Sequence, residues 1–208
     1  YIAPCAERLS WLTGFDGSAG IAIVLSDQAA VFVDGRYTLQ AADQVDTSRY
    51  EICHVTENSP NEWLQAKLSK GMSLGFDPRL HTESSLERIR NVCKEAGAAL
   101  VIVNRNPIDA VWSNQPEPPA ATLAPHDLAF AGESSAGKRA RLGADLARDG
   151  ASATILTAPD SIAWLLNVRG ADVPNTPISL SYALLRDSGD VDLFIDPRKL
   201  DDKVRAHL

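Results

Sequence analysis

The chain repeats a pattern of its own, and that repeat restricts the fold more than any other feature. From Leu9 to Gln40 it runs LSWLTGFDGSAGIAIVLSDQAAVFVDGRYTLQ, with Trp11 leading into glycines at 14, 17 and 20. Two short β-branched runs follow, parted by a polar SDQ turn, and the second delivers Asp34, Gly35, Arg36 and Tyr37. This order predicts a loop, a strand, a tight turn, a second strand and the start of a helix. The same parts return downstream. Trp164, Leu165 and Leu166 lead into a loop marked by glycine and proline, NVRGADVPNTP; SLSYALL, a polar RDSGD turn and VDLFIDPR come next. Asp34 with Arg36 thereby matches Asp196 with Arg198. Two related units are expected.

Around these repeats, residues Tyr1–Ser10 carry no helical pattern, so irregular chain is expected ahead of the first glycine loop. GRYTLQAADQV predicts a helix and YEICHVT a strand. Ser59 as cap, Pro60 at the first helical position and Glu62 in the first turn predict a helix that turns Trp63, Leu64 and Leu68 inward and stops at Gly71. SLGF predicts a buried strand. Thr82 or Ser84 caps a helix with Leu86, Ile89, Cys93 and Ala96 at helical spacing, ending at Gly97. ALVIV is wholly apolar, the pattern of a strand buried on both faces. From Arg105 to His126 prolines crowd the sequence, which predicts a semi-rigid connector. The change in texture divides the chain into residues 1–126, connector included, and 127–208. A helix from Ser135 and the strand ATILT precede the second Trp loop, with no counterpart before the first. By the spacing of the second copy, about 25 residues are expected to be missing ahead of Tyr1, and the second unit is expected to be unfinished at Leu208. Strands alternating with helices imply an α/β class, a mixed sheet flanked by helices.

The 208 residues, 45% hydrophobic and 23% charged, suffice for a buried core. A net charge of -7 without a basic stripe excludes a general nucleic-acid surface. No apolar run reaches the roughly 18 to 20 residues of a membrane span, and no secretory leader opens the chain. Cys5, Cys53 and Cys93 show no CxxC or Cys/His spacing, which fits buried free thiols in a reducing, cytoplasmic compartment.

Few residues carry a chemical pattern. Ser18 in GSAG lacks the first glycine of a nucleophile elbow and precedes a strand instead of a helix. Glycines 14, 17 and 20 miss the dinucleotide fingerprint and feed no helix N-terminus. His54, His81, His126 and His207 stand apart, with no ligand spacing. Asp34 and Arg36 fit either a polar site at a strand end or a helix cap with an ion pair. Capping accounts for both Asp34 and Asp196 with one cause, and Arg8 and Arg169, flanking the two Trp loops, allow the same two readings.

WLTGFDGSAG with FVDGRYTLQA, the connector NPIDAVW with Gln115-Pro116, and SIAWLLNVRGADVPNTPISLSYALL with LFIDPRKL together resemble the first two domains of three-domain Xaa-Pro aminopeptidases. The resemblance implies two creatinase/prolidase N-terminal-type units, ribonuclease-H-like, both incomplete here. It further implies a parent metallopeptidase that removes the residue before a proline at position two. Catalysis would reside in a third, pita-bread domain holding two manganese ions through two Asp, one His and two Glu. No position of this chain matches those ligands, so neither a catalytic nor a metal-binding residue is expected in it. The two units are expected to shape substrate access and to join protomers of a homodimer. Arg8, Asp34, Arg36, Tyr37, Trp112 and Arg169 are the candidates for that role. The alternative is a non-enzymatic binding or oligomerisation module on the same fold.

Overall fold

The computed structural model describes residues 2–208; Tyr1 lies outside them. One compact unit spans Cys5–Pro116, and the other spans Glu117–Leu208 together with the residues up to Pro4. Their division falls inside the Pro-rich connector, ahead of Asp127.

After a 3-10 turn at Pro4–Ala6, the first unit begins with helix α1 (Arg8–Thr13), where irregular chain was expected. Glu7 at its N-cap makes no side-chain bond, so the sequence gives no start signal. Its end is marked by Gly14, at φ +80°, whose N–H donates to Ser10 O at 2.8 Å. A Cβ there would sit 2.9 Å from the Gln44 carbonyl oxygen, so only glycine fits this left-handed cap.

Strands β1 (Gly20–Val24) and β2 (Ala29–Val33) form an antiparallel hairpin, helix α2 (Thr38–Gln44) follows, and β3 (Glu51–His54) lies parallel to β2. Ala30 to Val33 are all fully buried. Because side chains alternate along a strand, Ala30 and Phe32 pack with Cys53, Trp63, Leu64 and Cys93. Val31 and Val33 pack with Phe15, Ala41 and Val45. Burying each Val or Phe contributes roughly 1.5–3 kcal/mol, and both faces of β2 collect that gain.

Helix α3 (Pro60–Lys67) opens with Ser59 as the expected cap, and Glu62 completes a capping box, each side chain accepting from the other's backbone N–H. It ends at Lys67, short of the Gly71 stop, with Leu68 already extended. Strand β4 (Ser73–Phe76), a 3-10 turn at Pro78–Leu80, helix α4 (Glu83–Ala96), strand β5 (Ala99–Ile102) and helix α5 (Pro107–Val111) complete the unit. Thr82 caps α4, and Gly97 closes it in a left-handed conformation. The connector therefore begins as helix. β4 and β5 are parallel partners, yet neither is buried on both faces. Val101 and Ile102 of β5 are 43% and 59% exposed, because β5 has only β4 beside it among the described residues.

The second unit runs β6 (Ala124–Pro125), α6 (Leu128–Ala131), α7 (Ser135–Arg148), β7 (Ala153–Leu156), α8 (Pro159–Leu166), β8 (Val168–Arg169), β9 (Tyr182–Arg186), β10 (Val191–Phe194), a 3-10 turn at Pro197–Lys199 and α9 (Asp202–His207). Its main sheet is antiparallel in the order β10-β9-β7, while β6 pairs with β8. Ile162, Leu165 and Leu166 of α8 pack with Ala183 and Leu185 of β9 and Val204 of α9. Trp164 thus rides on a helix, as Trp11 does, and the expected Trp loops are helix ends. In each copy a Trp-bearing helix stops at a left-handed residue, Gly14 or Asn167, ahead of an antiparallel strand pair. No helix among the described residues is long and apolar enough to cross a membrane.

A buried ion pair anchors the long loop before β9. Lys199 Nζ donates to Asp172 Oδ2 at 2.5 Å, with the two side chains 4% and 0% exposed. The same oxygen accepts from Ser179 Oγ and from Leu180 N at 3.0 and 2.7 Å. Lys199→Met would leave this carboxylate buried without its cation, a change that costs about 3–5 kcal/mol. Urea unfolding followed by circular dichroism should show a loss of that size for the second unit. A loss below about 1 kcal/mol would mean that the neutral donors alone hold Asp172.

Candidate functional site

Among the expected residues, Arg8 and Trp112 each take part in contacts between α1 and the α5 region, while Asp34, Arg36 and Tyr37 form a group of their own. Arg8 on α1 forms a fork with Asp109 on α5, Nε to Oδ1 at 2.7 Å and Nη2 to Oδ2 at 2.9 Å. Gln115 Nε2 also donates to Asp109 Oδ1 at 2.9 Å, and to Cys5 O at 2.8 Å. Beside this fork the rings of Trp11 and Trp112 stack with centroids 5.4 Å apart. Trp112 is buried by that stacking, while Trp11 keeps 39% of its surface exposed. The Arg8 hydrogen bond holds the Asp109 carboxyl below its usual range, and Asp109 in return raises Arg8. Asp109 was not singled out from the sequence. Its partner lies 101 residues away, a separation that no local pattern reports.

Asp34 follows β2 directly. Its Oδ1 accepts from Arg36 N at 2.9 Å and Arg36 Nε at 3.0 Å, and its Oδ2 accepts from Nη2 at 2.7 Å. Helix α2 has Tyr37 at its N-cap without a side-chain bond, so Asp34 does not cap it. The carboxylate closes a turn onto the residue two positions on and holds that residue's guanidinium as well. Tyr37 OH shares a 2.6 Å hydrogen bond with Ser18 Oγ, and its ring meets Phe15 edge-on with centroids 5.6 Å apart. The Arg36 guanidinium carbon lies 5.2 Å from the Tyr37 ring centroid, and the Arg36 side chain is 70% exposed. Ser18 thus meets a phenol rather than the imidazole base that activates a serine nucleophile.

The second copy reproduces the fork. Arg198 N donates to Asp196 Oδ1 at 2.9 Å, and its Nη2 donates to Oδ2 at 2.6 Å. Here Asp196 does cap, at the N-terminus of the 3-10 turn, so capping accounts for one occurrence and the fork for both. A third Asp-x-Arg, Asp77 with Arg79, keeps the backbone bond at 3.0 Å, but Asn106 Nδ2 occupies its other oxygen. Arg169, on β8 in the second unit, donates from Nη1 to Val168 O at 2.9 Å and joins none of these groups.

A dinuclear metal centre needs carboxylates and imidazole converging within a few ångströms. Among the described residues no three His, Cys, Asp or Glu side chains converge in that way. The donors present among the described residues do not fit a metal pair.

The fork has a measurable acid limit. Arg198 hydrogen bonds hold the Asp196 carboxyl at about 2, against an ordinary 3.8. Since the folded value lies below the unfolded one, the stabilisation is complete above about pH 3.8 and disappears as pH falls through about 2. In urea titrations from pH 6 to pH 2, the midpoint gap between the parent chain and Asp196→Asn should close at the acid end. A gap that stays constant would remove the ion pair as its cause.

Residues 2–108 match the Creatinase/Prolidase N-terminal domain family, and residues 114–208 match a second family of the same description. The Aspergillus niger protein named probable Xaa-Pro aminopeptidase P is 37% identical over 211 residues, which cover all of this chain and 34% of that protein. A Coccidioides posadasii protein of the same name gives the same identity and coverage. The crystal structure of the X-prolyl aminopeptidase from Caenorhabditis elegans, described as a cytosolic enzyme with a di-nuclear active site, superposes with a TM-score of 0.88 at 31% identity. It too is covered over 34% of its length. The chain spans about a third of the length of these relatives. On these matches, and on the pair of Trp-helix, hairpin and Asp-x-Arg units, the chain belongs to the creatinase/prolidase N-terminal domain family and carries that domain in two copies.

Proposed function

We propose that this chain forms the two N-terminal domains of an Xaa-Pro aminopeptidase and acts in that enzyme without catalysing the reaction. The observation that carries the reading is the 37% identity across the whole chain to aminopeptidases about three times as long. In this reading the metal pair, assigned as manganese, belongs to a separate pita-bread domain, the substrates are peptides with proline second, and the enzyme is a cytoplasmic homodimer. The two domains wall the approach to the active site and join protomers. Of the candidates, Arg36 is best placed for that work. Its side chain is 70% exposed, yet the Asp34 fork fixes the direction of its guanidinium. Arg8 and Trp112 are engaged within their own unit, and in this reading they stiffen it.

The test compares purified chain with the full-length parent, both supplied with manganese, on an X-Pro peptide. The parent should release the N-terminal residue and the chain should not. Turnover by the chain that survives a control for host peptidases would overturn the reading. In the parent, Arg36→Gln should raise KM for the peptide or weaken the dimer seen in sedimentation. Its effect on stability should be small, since the ion pair is exposed. Unchanged KM and unchanged association would remove Arg36 from the role.

A further inference from the structure

One face of the second unit's main sheet is apolar and open. Side chains alternate along a strand, so Ala183 and Leu185 of β9 turn into the core while Tyr182 and Leu184 turn away from it. Phe194 of β10 stands opposite Tyr182, and Ile155 of β7 stands opposite Leu184. Four apolar side chains thus adjoin on the outward face, with Tyr182, Phe194 and Ile155 60%, 59% and 71% exposed. The charged pair on that face, Arg186 with Asp192, lies at the end nearer the hairpin turn. An antiparallel sheet that faces water carries polar residues on its wet side, and a contiguous exposed apolar patch marks an interaction surface.

The first unit shows what such a face is built to meet. Counting back from Asp34 and Asp196 matches Phe32 with Phe194, and across the two hairpins Ile21 with Tyr182 and Ile23 with Leu184. Phe32 is fully buried, and the Trp63 ring of α3 meets it edge-on with centroids 6.1 Å apart. Ile23 packs into the same cluster as Val92 and Cys93 of α4. Strand β3 lies parallel to β2 and leads the chain into α3. In the second unit β10 takes the place of β2, and α9 follows its Asp-x-Arg fork as α2 follows the first. Yet β10 has β9 as its one neighbour among the described residues, so the edge that β3 fills in the first unit is open. An open strand edge and an open apolar face coincide where the first unit has β3 and α3.

We propose that the outward face of the β10-β9-β7 sheet is an interaction surface for a helix of the parent polypeptide. A strand pairing parallel to β10 delivers that helix, which sets an aromatic side chain against Phe194. This inference rests on the reading that the chain belongs to a longer enzyme, and relatives about three times as long have the residues to supply such a segment. A second copy of the chain fits less well, since two of these faces stacked together would leave both β10 edges unpaired. The helix covers the Tyr182 and Phe194 rings and gives Phe194 the edge-on contact that Phe32 has with Trp63.

The test is photo-crosslinking in the full-length parent with p-benzoylphenylalanine in place of Phe194, read by mass spectrometry. A crosslink within one polypeptide, to the helix that follows the first strand after α9, is expected. Crosslinks to a second protomer, to any other segment, or to none would overturn the proposal. Hydroxyl-radical footprinting of the unaltered parent gives a second measurement that needs no substitution. Tyr182 and Phe194 should be oxidised about tenfold more slowly in the native parent than in urea, as a covered ring is, with buried Trp63 as the internal standard. Native rates close to those in urea would overturn it as well. Aminopeptidase activity of the same sample is measured separately, so that an inactive parent with both crosslink and protection would sink the peptidase reading and leave the covered face standing.

Discussion

Everything in the first unit depends on β2 being buried on both faces. Ala30 and Phe32 point into one cluster, Val31 and Val33 into another, and none of the four keeps any exposed surface. A shift of one residue in register would exchange the two sets, placing Val where Phe meets the Trp63 ring edge-on, so the register is strongly fixed. That fixes where the strand ends. Asp34 emerges at its end in one position only, and the fork to Arg36 is built on that position. In the second unit β9 has the corresponding role, with Ala183 and Leu185 turned into the core and the hairpin carrying the chain on to Asp196.

The sequence displayed those features whose causes are local. Ser59 and Glu62 announce α3 because a capping box needs only four consecutive residues. Asp34-x-Arg36 and Asp196-x-Arg198 were visible as a repeat because both bonds of the fork close within three residues. What stayed hidden depends on distant partners or weak local signals. Helix α1 has no capping side chain and only six residues, so nothing in its pattern separates it from loop. The apolar run of β5 shows what a strand is suited to bury, but Val101 and Ile102 have only one neighbouring strand. Asp109 carries no pattern at all, and it matters because of Arg8, a residue that only the fold brings near.

Both units use their charged residues mainly to fix backbone. The Asp-x-Arg forks close turns, Arg8 and Asp109 tie α1 to α5, and Lys199 with Asp172 holds a loop against the core. An enzyme's reactive groups are usually left partly unpaired, with shifted affinities for protons. Here the forks draw carboxylates down and guanidinium groups up, the direction that makes each more inert. This distribution of charge serves the backbone in both units, and in the second it leaves Arg139 Nε and Asp172 Oδ1 as buried atoms without a hydrogen-bond partner among the described residues.

All three cysteines lie in the first unit, two of them in its core. Burial, with Glu51 close by, pushes the Cys53 thiol up to about 11, and burial raises Cys93 as well. At neutral pH both remain thiols, and the thiolate is the form that reacts with alkylating reagents. Modification of either sulfur must therefore await a breathing motion of the first unit, while the cysteine-free second unit is silent. The native chain contains its own chemical clock for the opening of one half, with no engineered label.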